Sequence, residues 1–196
     1  MKYTIGIDEA GRGPLAGPVA VGAVRLPIDF DVMHVAGAKD SKKMTPRARE
    51  RLYAVMCDLR VDGTLDFAVA FSDAAMIDRD GIVPAVRSAL AHALDSAMGT
   101  IAPDECEVRL DGGLRAPERY KHQKTIIRGD QTEIAISLAS IAAKVERDAI
   151  LCQMAKDFPG YGLEIHKGYG TAMHQNAIRS LGLSPIHRAS FCTRIE

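Results

Sequence analysis

Residues 3–24 read YTIGIDEAGRGPLAGPVAVGAV, and the reading of this stretch decides the fold. An apolar run rises to Ile7, meets two adjacent carboxylates, Asp8 and Glu9, and passes at once into the loop AGRGP. Residues 3–8 read as a buried strand and residues 18–26 as a second, rich in Val and Ala. The Gly/Pro loop between them predicts a hairpin. Side chains alternate faces along a strand, so Asp8 and Glu9 can share one site only if the chain turns at Glu9. Glycines let backbone approach a ligand closely, and N–H groups exposed there bind phosphate or hydroxyl oxygens. Arg12 adds a cation between them.

Outward from this hairpin, residues 46–59 have helical spacing, with Thr45 as cap and Pro46 in the first turn. Residues 65–71 read as a third strand. Asp80 is expected to cap a helix over residues 82–98. Residues 107–111 and 124–127 read as short strands, and residues 130–157 as one long helix. The stretch YGLEIHKGYGT is a glycine-studded loop, residues 172–180 a short helix, and PIHRASF an irregular tail. Strands and helices mixed in this order predict an α/β protein with a mixed sheet.

The 196 residues suffice for one domain with a real core. With 47% hydrophobic and 26% charged residues the chain is globular, not disordered. The absence of Trp argues against a large aromatic base-stacking platform. Lys plus Arg equals Asp plus Glu, at 25 each, so there is no overall basic excess for nucleic acid. Residues 1–110 lean acidic and residues 111–196 lean basic. Acids gathered in one metal site would leave the remaining surface more basic than the total suggests. Cys57, Cys106, Cys152 and Cys192 lack zinc spacing, and with no signal peptide or long apolar span the expectation is a reducing cytoplasm and no membrane. His166, beside Lys167, could approach a substrate, the other five histidines show no ligand spacing, and all six read as structural or surface residues.

Two further acids stand in similar punctuation. Asp111, in VRLDGGL, ends an apolar strand before glycines, and Asp130, in IIRGDQTE, follows a strand at a helix start. A strand parallel to the first would bring Asp111 beside Asp8, at the edge where α/β proteins place ligands. Asp111 also suits a turn, and Asp130 with Glu133 matches an N-capping box. Clustered carboxylates repel one another unless neutralised, and hard divalent cations do this with oxygen ligands. Two such ions can clamp a phosphodiester during in-line hydrolysis. Acids, a glycine cradle and basic loops therefore point to metal-dependent phosphodiester cleavage.

The motifs GIDEAGRGPLAGPV, DSKKMT, LDGG, RGD, SLASIAAKVERD and HKGYGT, in this order, resemble type 2 ribonuclease H (ribonuclease HII) of the bacterial kind. The resemblance implies a ribonuclease H-like mixed sheet flanked by helices. Residues 1–196 would form one catalytic domain, with a helical C-terminal part, about 157–196, packed onto it. It implies hydrolysis of the RNA strand of RNA/DNA hybrids and cutting 5′ to single ribonucleotides in duplex DNA, leaving 3′-hydroxyl and 5′-phosphate ends. Asp8, Glu9, Asp111 and Asp130 fall on the family's four catalytic carboxylates, which hold Mg²⁺ or Mn²⁺. Gly11, Arg12 and Gly13 fall on the loop that senses the 2′-hydroxyl, the main local mark of RNA. Tyr169 falls on the tyrosine that packs on the sugar at the RNA–DNA junction. Ser41, Lys42, Lys43, Ser140 and Lys144 are candidate phosphate contacts.

The chain departs from the family's common pattern at Met44, Leu138 and the tail HRASF, where a second Arg often follows; that missing Arg weakens any case for Arg188 as a phosphate contact. No longer tail for a sliding clamp is seen, and a monomer is expected. A dinucleotide-binding reading of GRGPLAG fails on its G-x-G-x-x-x-G spacing and on the strand that follows. A sugar-kinase-like fold leaves Glu9 and Arg12 without a use. The remaining alternative is a non-catalytic module that binds RNA/DNA hybrids.

Overall fold

The computed structural model describes residues 1–38 and 44–195. Its strands are β1 (Tyr3–Ala10), β2 (Val19–Pro27), β3 (Asp66–Ser72), β4 (Cys106–Asp111) and β5 (Gln123–Ile126). Its helices are α1 (Pro46–Val61), α2 (Ala74–Asp80), α3 (Ile82–Met98), α4 (Gly129–Thr132), α5 (Ile134–Asp157), α6 (Leu163–His166) and α7 (Ala172–Leu181). The expected hairpin is present: β1 and β2 pair antiparallel from Tyr3↔Pro27 to Ala10↔Ala20. β3 joins β2 antiparallel, whereas β4 joins β1 and β5 joins β4 in parallel, giving the mixed order β3-β2-β1-β4-β5.

Alternation along β1 sets the two faces. Ile5 and Ile7 turn to one side, into a core with Val86, Leu90 and Leu94 of α3. On the other side Val24 of β2 and Phe67 of β3 pack with Leu52 and Met56 of α1 and Leu138 and Ile141 of α5. Burying this much aliphatic side chain is the main favourable term in such a fold, at roughly 1.5–3 kcal/mol for each fully buried side chain. Gly6 and Gly22 let α5 lie directly on the sheet. A Cβ at Gly6 would stand 2.0 Å from the Ala135 carbonyl carbon, and one at Gly22 would stand 2.3 Å from the Ala139 oxygen. Gly22 pairs with Asp8, so this close approach delivers the α5 side chains onto the first acid.

Four local expectations change, the first in the glycine-studded stretch, where residues 163–166 form the short helix α6. β1 continues through Glu9 to Ala10, and the turn falls at Gly11, where φ is +84°. Asp80 does not cap α3: it closes α2, a helix not expected from the sequence, and pairs with Arg79, while Gly81 takes the N-cap position. The long helix is interrupted at Glu133, which is extended (φ −116°, ψ 116°) between α4 and α5. Its carboxylate meets Arg109 of β4 at 2.6 Å instead of closing a capping box with Asp130.

The C-terminal part is anchored by a separate apolar cluster in which Leu163, Ile178, Cys192 and Ile195 pack on Ala16 and on Leu151 of α5. The loop after β1 is thereby sandwiched between α5 and the tail.

Candidate active site

Parallel pairing of β1 and β4 ends at Ile7↔Leu110, so Asp8 and Asp111 follow side by side at the carboxyl edge of the sheet. Asp8, Glu9, Gly11, Arg12, Gly13, Asp111, Ser140, Lys144 and Tyr169 all line one cavity of about 520 Å³. Arg49 of α1 lines it as well, a residue the sequence reading did not single out. Other cavities of about 620 and 610 Å³ lie elsewhere on the molecule. Size does not distinguish the site; the chemistry of its lining does.

Asp8 is 4% exposed. Its Oδ1 accepts the Glu9 N–H at 2.8 Å, and the Ser140 hydroxyl also hydrogen-bonds to it. Burial pushes its carboxyl up to about 7, with Glu9 and Asp111 adding to the rise against the pull of Ser140. Glu9 is half-turned toward solvent, 3.3 Å from the Arg12 guanidinium. The Asp111 Oδ1 accepts the Gly129 N–H at 2.7 Å, which ties the end of β4 to the start of α4. Arg128, in the left-handed region at φ 57°, makes the turn that allows this. Asp130 follows directly and is fully buried behind the cavity wall rather than on it.

Among the described residues no group of three or more acids, histidines or cysteines is gathered tightly enough to hold a metal ion as the side chains stand. Mutual repulsion keeps bare carboxylates apart. The donor set nevertheless suits a hard divalent cation. Asp8, Glu9 and Asp111 present only oxygen donors to the cavity, and burial and like charge raise the Asp8 carboxyl, a state a cation would relieve.

The loop and α5 supply the rest of the wall. Gly11 fits nothing larger: a Cβ there would lie 1.8 Å from the Arg147 Nε. Gly13 faces open space. Lys144, one turn beyond Ser140, pairs with Asp148 at 2.8 Å and sits 5.6 Å over the Tyr169 ring, while the Arg147 guanidinium lies 5.8 Å from the same ring. Two cations thus hold the face of a tyrosine that is 43% exposed. Ser41, Lys42 and Lys43 lie outside the described residues. Arg188 is fully buried and cannot touch a phosphate.

The histidines contain a cluster that sequence spacing did not reveal. His166 and His174 stack with ring centroids 4.3 Å apart, and the Nε2 atoms of His174 and His187 are 3.1 Å apart. All three are buried, and His174 Nδ1 lies 3.0 Å from the Tyr169 carbonyl, which supports the loop from behind. Burial pushes His174 down to about 4.

Residues 5–194 match the family model of ribonuclease HII. Ribonuclease HII of Dehalococcoides mccartyi is 44% identical over 186 residues, covering 95% of this chain and 84% of that protein. The crystal structure of ribonuclease H2 from Pyrococcus horikoshii superposes with a TM-score of 0.77 at 24% identity, covering 99% of this chain and 97% of that one. Bst-RNase HIII in complex with Mn²⁺ superposes at 0.69 with 22% identity, over 92% of this chain and 63% of that one. The two structures establish a shared ribonuclease H-like fold.

Proposed function

Because the chain belongs to the ribonuclease HII family, we propose that it hydrolyses the RNA strand of RNA/DNA hybrids and cuts 5′ to single ribonucleotides embedded in duplex DNA. The observation that carries this reading is the meeting of Asp8, Glu9 and Asp111 with the Gly11–Arg12–Gly13 loop and Tyr169 around one cavity. Asp8, Glu9, Asp111 and Asp130 would hold two divalent cations, Mg²⁺ or Mn²⁺, with Asp8 at the centre. Mn²⁺ in the related RNase HIII structure supports that choice. Such ions supply a Lewis acid for the attacking water and counter-charge for the leaving 3′-oxygen, so the products carry 3′-hydroxyl and 5′-phosphate ends.

The chain's own residues do the selecting. The Arg12 and Gly13 N–H groups donate to nothing among the described residues, which supports a reading in which they hydrogen-bond a 2′-hydroxyl. The Tyr169 ring, fixed by Lys144 and Arg147, packs on the sugar at the junction. Ser140 and Lys144 orient the phosphate beside the acids, and Ser41, Lys42 and Lys43 extend the phosphate track. Residues 1–196 act as one unit, a cytoplasmic monomer in this reading. All four cysteines are free, and no described helix is long and apolar enough to cross a membrane.

The test is Asp8→Asn, assayed on end-labelled hybrid. Cutting is expected to vanish while hybrid binding survives. Full activity in the variant would overturn the mechanism, and binding without turnover in the unaltered protein would favour a non-catalytic hybrid-binding module.

A further inference from the structure

The two largest fully buried side chains are both arginines, Arg147 and Arg188. Among the described residues neither has a carboxylate as a hydrogen-bond partner; both donate to backbone carbonyls. Arg147 donates to Pro18 at 2.9 Å, Lys167 at 3.1 Å and Ala16 at 3.3 Å. Arg188 donates to Gly11 at 2.7 Å, Arg12 at 3.0 Å and Gly17 at 3.0 Å. Five of these six carbonyls belong to the loop between β1 and β2, and the sixth belongs to the segment that carries Tyr169. Burying a charge is costly unless its donors are satisfied. Burial pushes Arg188 down only to about 10, so it stays charged at neutral pH. The planar guanidinium, with its fork of donors, can reach three carbonyls at fixed angles where an ammonium cannot.

The consequence lies in the peptide plane. A trans peptide unit points its carbonyl and the next residue's N–H in opposite directions. Drawing the Gly11 and Arg12 carbonyls inward therefore turns the Arg12 and Gly13 amides away from Arg188, in a loop that borders the cavity. We propose that Arg188 is a positioning residue for ribonucleotide recognition, a buried clamp that aims the Arg12 and Gly13 amides at the 2′-hydroxyl while Arg147 fixes the spacing of that loop to Tyr169. This rests on the reading of residues 11–13 as the 2′-hydroxyl sensor. Asp78 of α2 holds the clamp's own turn, accepting the Ala189 and Ser190 N–H groups at 2.8 and 3.0 Å.

The experiment compares affinities for two duplexes, all-DNA and the same sequence with one ribonucleotide, in an Asp8→Asn parent that leaves strands uncut. The parent is expected to prefer the ribonucleotide. Adding Arg188→Lys is expected to lower that preference roughly tenfold, about 1.4 kcal/mol, with all-DNA affinity unchanged. A merely structural arginine would weaken both duplexes together or neither. A folded Arg188→Lys variant that keeps the parent's preference overturns the clamp. If that variant does not fold by thermal melt, the surface change Asp78→Ala decides: it should lower the preference in the same direction by a smaller factor, and an unchanged preference overturns the proposal. No preference in the parent itself overturns the sensor reading, and the clamp with it.

Discussion

Asp8→Asn should make the metal-free protein more stable, by an amount the site's electrostatics set. The Asp8 carboxyl ionises near its ordinary 3.8 in the unfolded chain and near 7 in the folded one. Between those values the folded protein binds the proton more strongly, so this group's contribution to stability falls as pH rises from about 4 to about 7 and stays low above. At about 1.4 kcal/mol per pH unit the gap is worth on the order of 4 kcal/mol as an upper bound. Asparagine keeps the oxygen that accepts the Glu9 N–H and removes the charge. For a chain of this size each kcal/mol moves the melting temperature by about 2–4 °C, so a rise with a ceiling of roughly 8–16 °C is expected at pH 8 with chelator. The gain should shrink to nothing near pH 4. Saturating Mn²⁺ should reverse the order, because only the unaltered site gains from binding. The assay is a thermal melt of both proteins across pH, with and without metal. A variant no more stable than the parent at pH 8 in chelator would refute the reasoning.

Other outcomes follow from particular contacts. Tyr169→Ala should slow cutting at single ribonucleotides about ten- to hundredfold, through loss of sugar positioning, and slow cutting of long hybrids less; equal losses in kinetics on the two substrates would remove its junction role. His174, pushed down to about 4 from 6.5 by burial, is neutral in the fold at neutral pH, so its contribution is lost as pH falls from about 6.5 to 4, with an upper bound on the order of 3 kcal/mol. Denaturant unfolding of His174→Gln should show a flatter acid decline than the parent. This trend opposes that of Asp8 over the same window, so each is read as the difference between parent and variant.

The hairpin, the parallel neighbour and the strand-end acids were legible because each is local. An apolar run that stops at a carboxylate followed by glycine marks a strand end, and ends of parallel strands meet. Gly6 and Gly22 carry no sequence mark as the seat of α5, because a missing side chain says nothing of what approaches it. The break at Glu133 depends on Arg109, 24 residues away and on another strand, so helical spacing ran straight through it. The burial of Arg147 and Arg188 was hidden for a similar reason. An arginine in a polar context reads as surface, and only the tertiary fold brings carbonyls from residues 11–18 within reach of both. The His166–His174–His187 cluster likewise joins a loop, a helix and the tail, with no spacing that a ligand motif would require.

The central claim is metal-dependent cutting directed by a ribonucleotide. Its most direct test uses end-labelled duplex DNA carrying one ribonucleotide, beside an all-DNA duplex and a uniform RNA/DNA hybrid, each with Mg²⁺, with Mn²⁺ and with chelator. The account predicts one cut on the 5′ side of the ribonucleotide and multiple cuts in the hybrid's RNA strand, both abolished by chelator, with the all-DNA duplex intact. Cutting of the all-DNA duplex, or cutting that survives chelator, would contradict it.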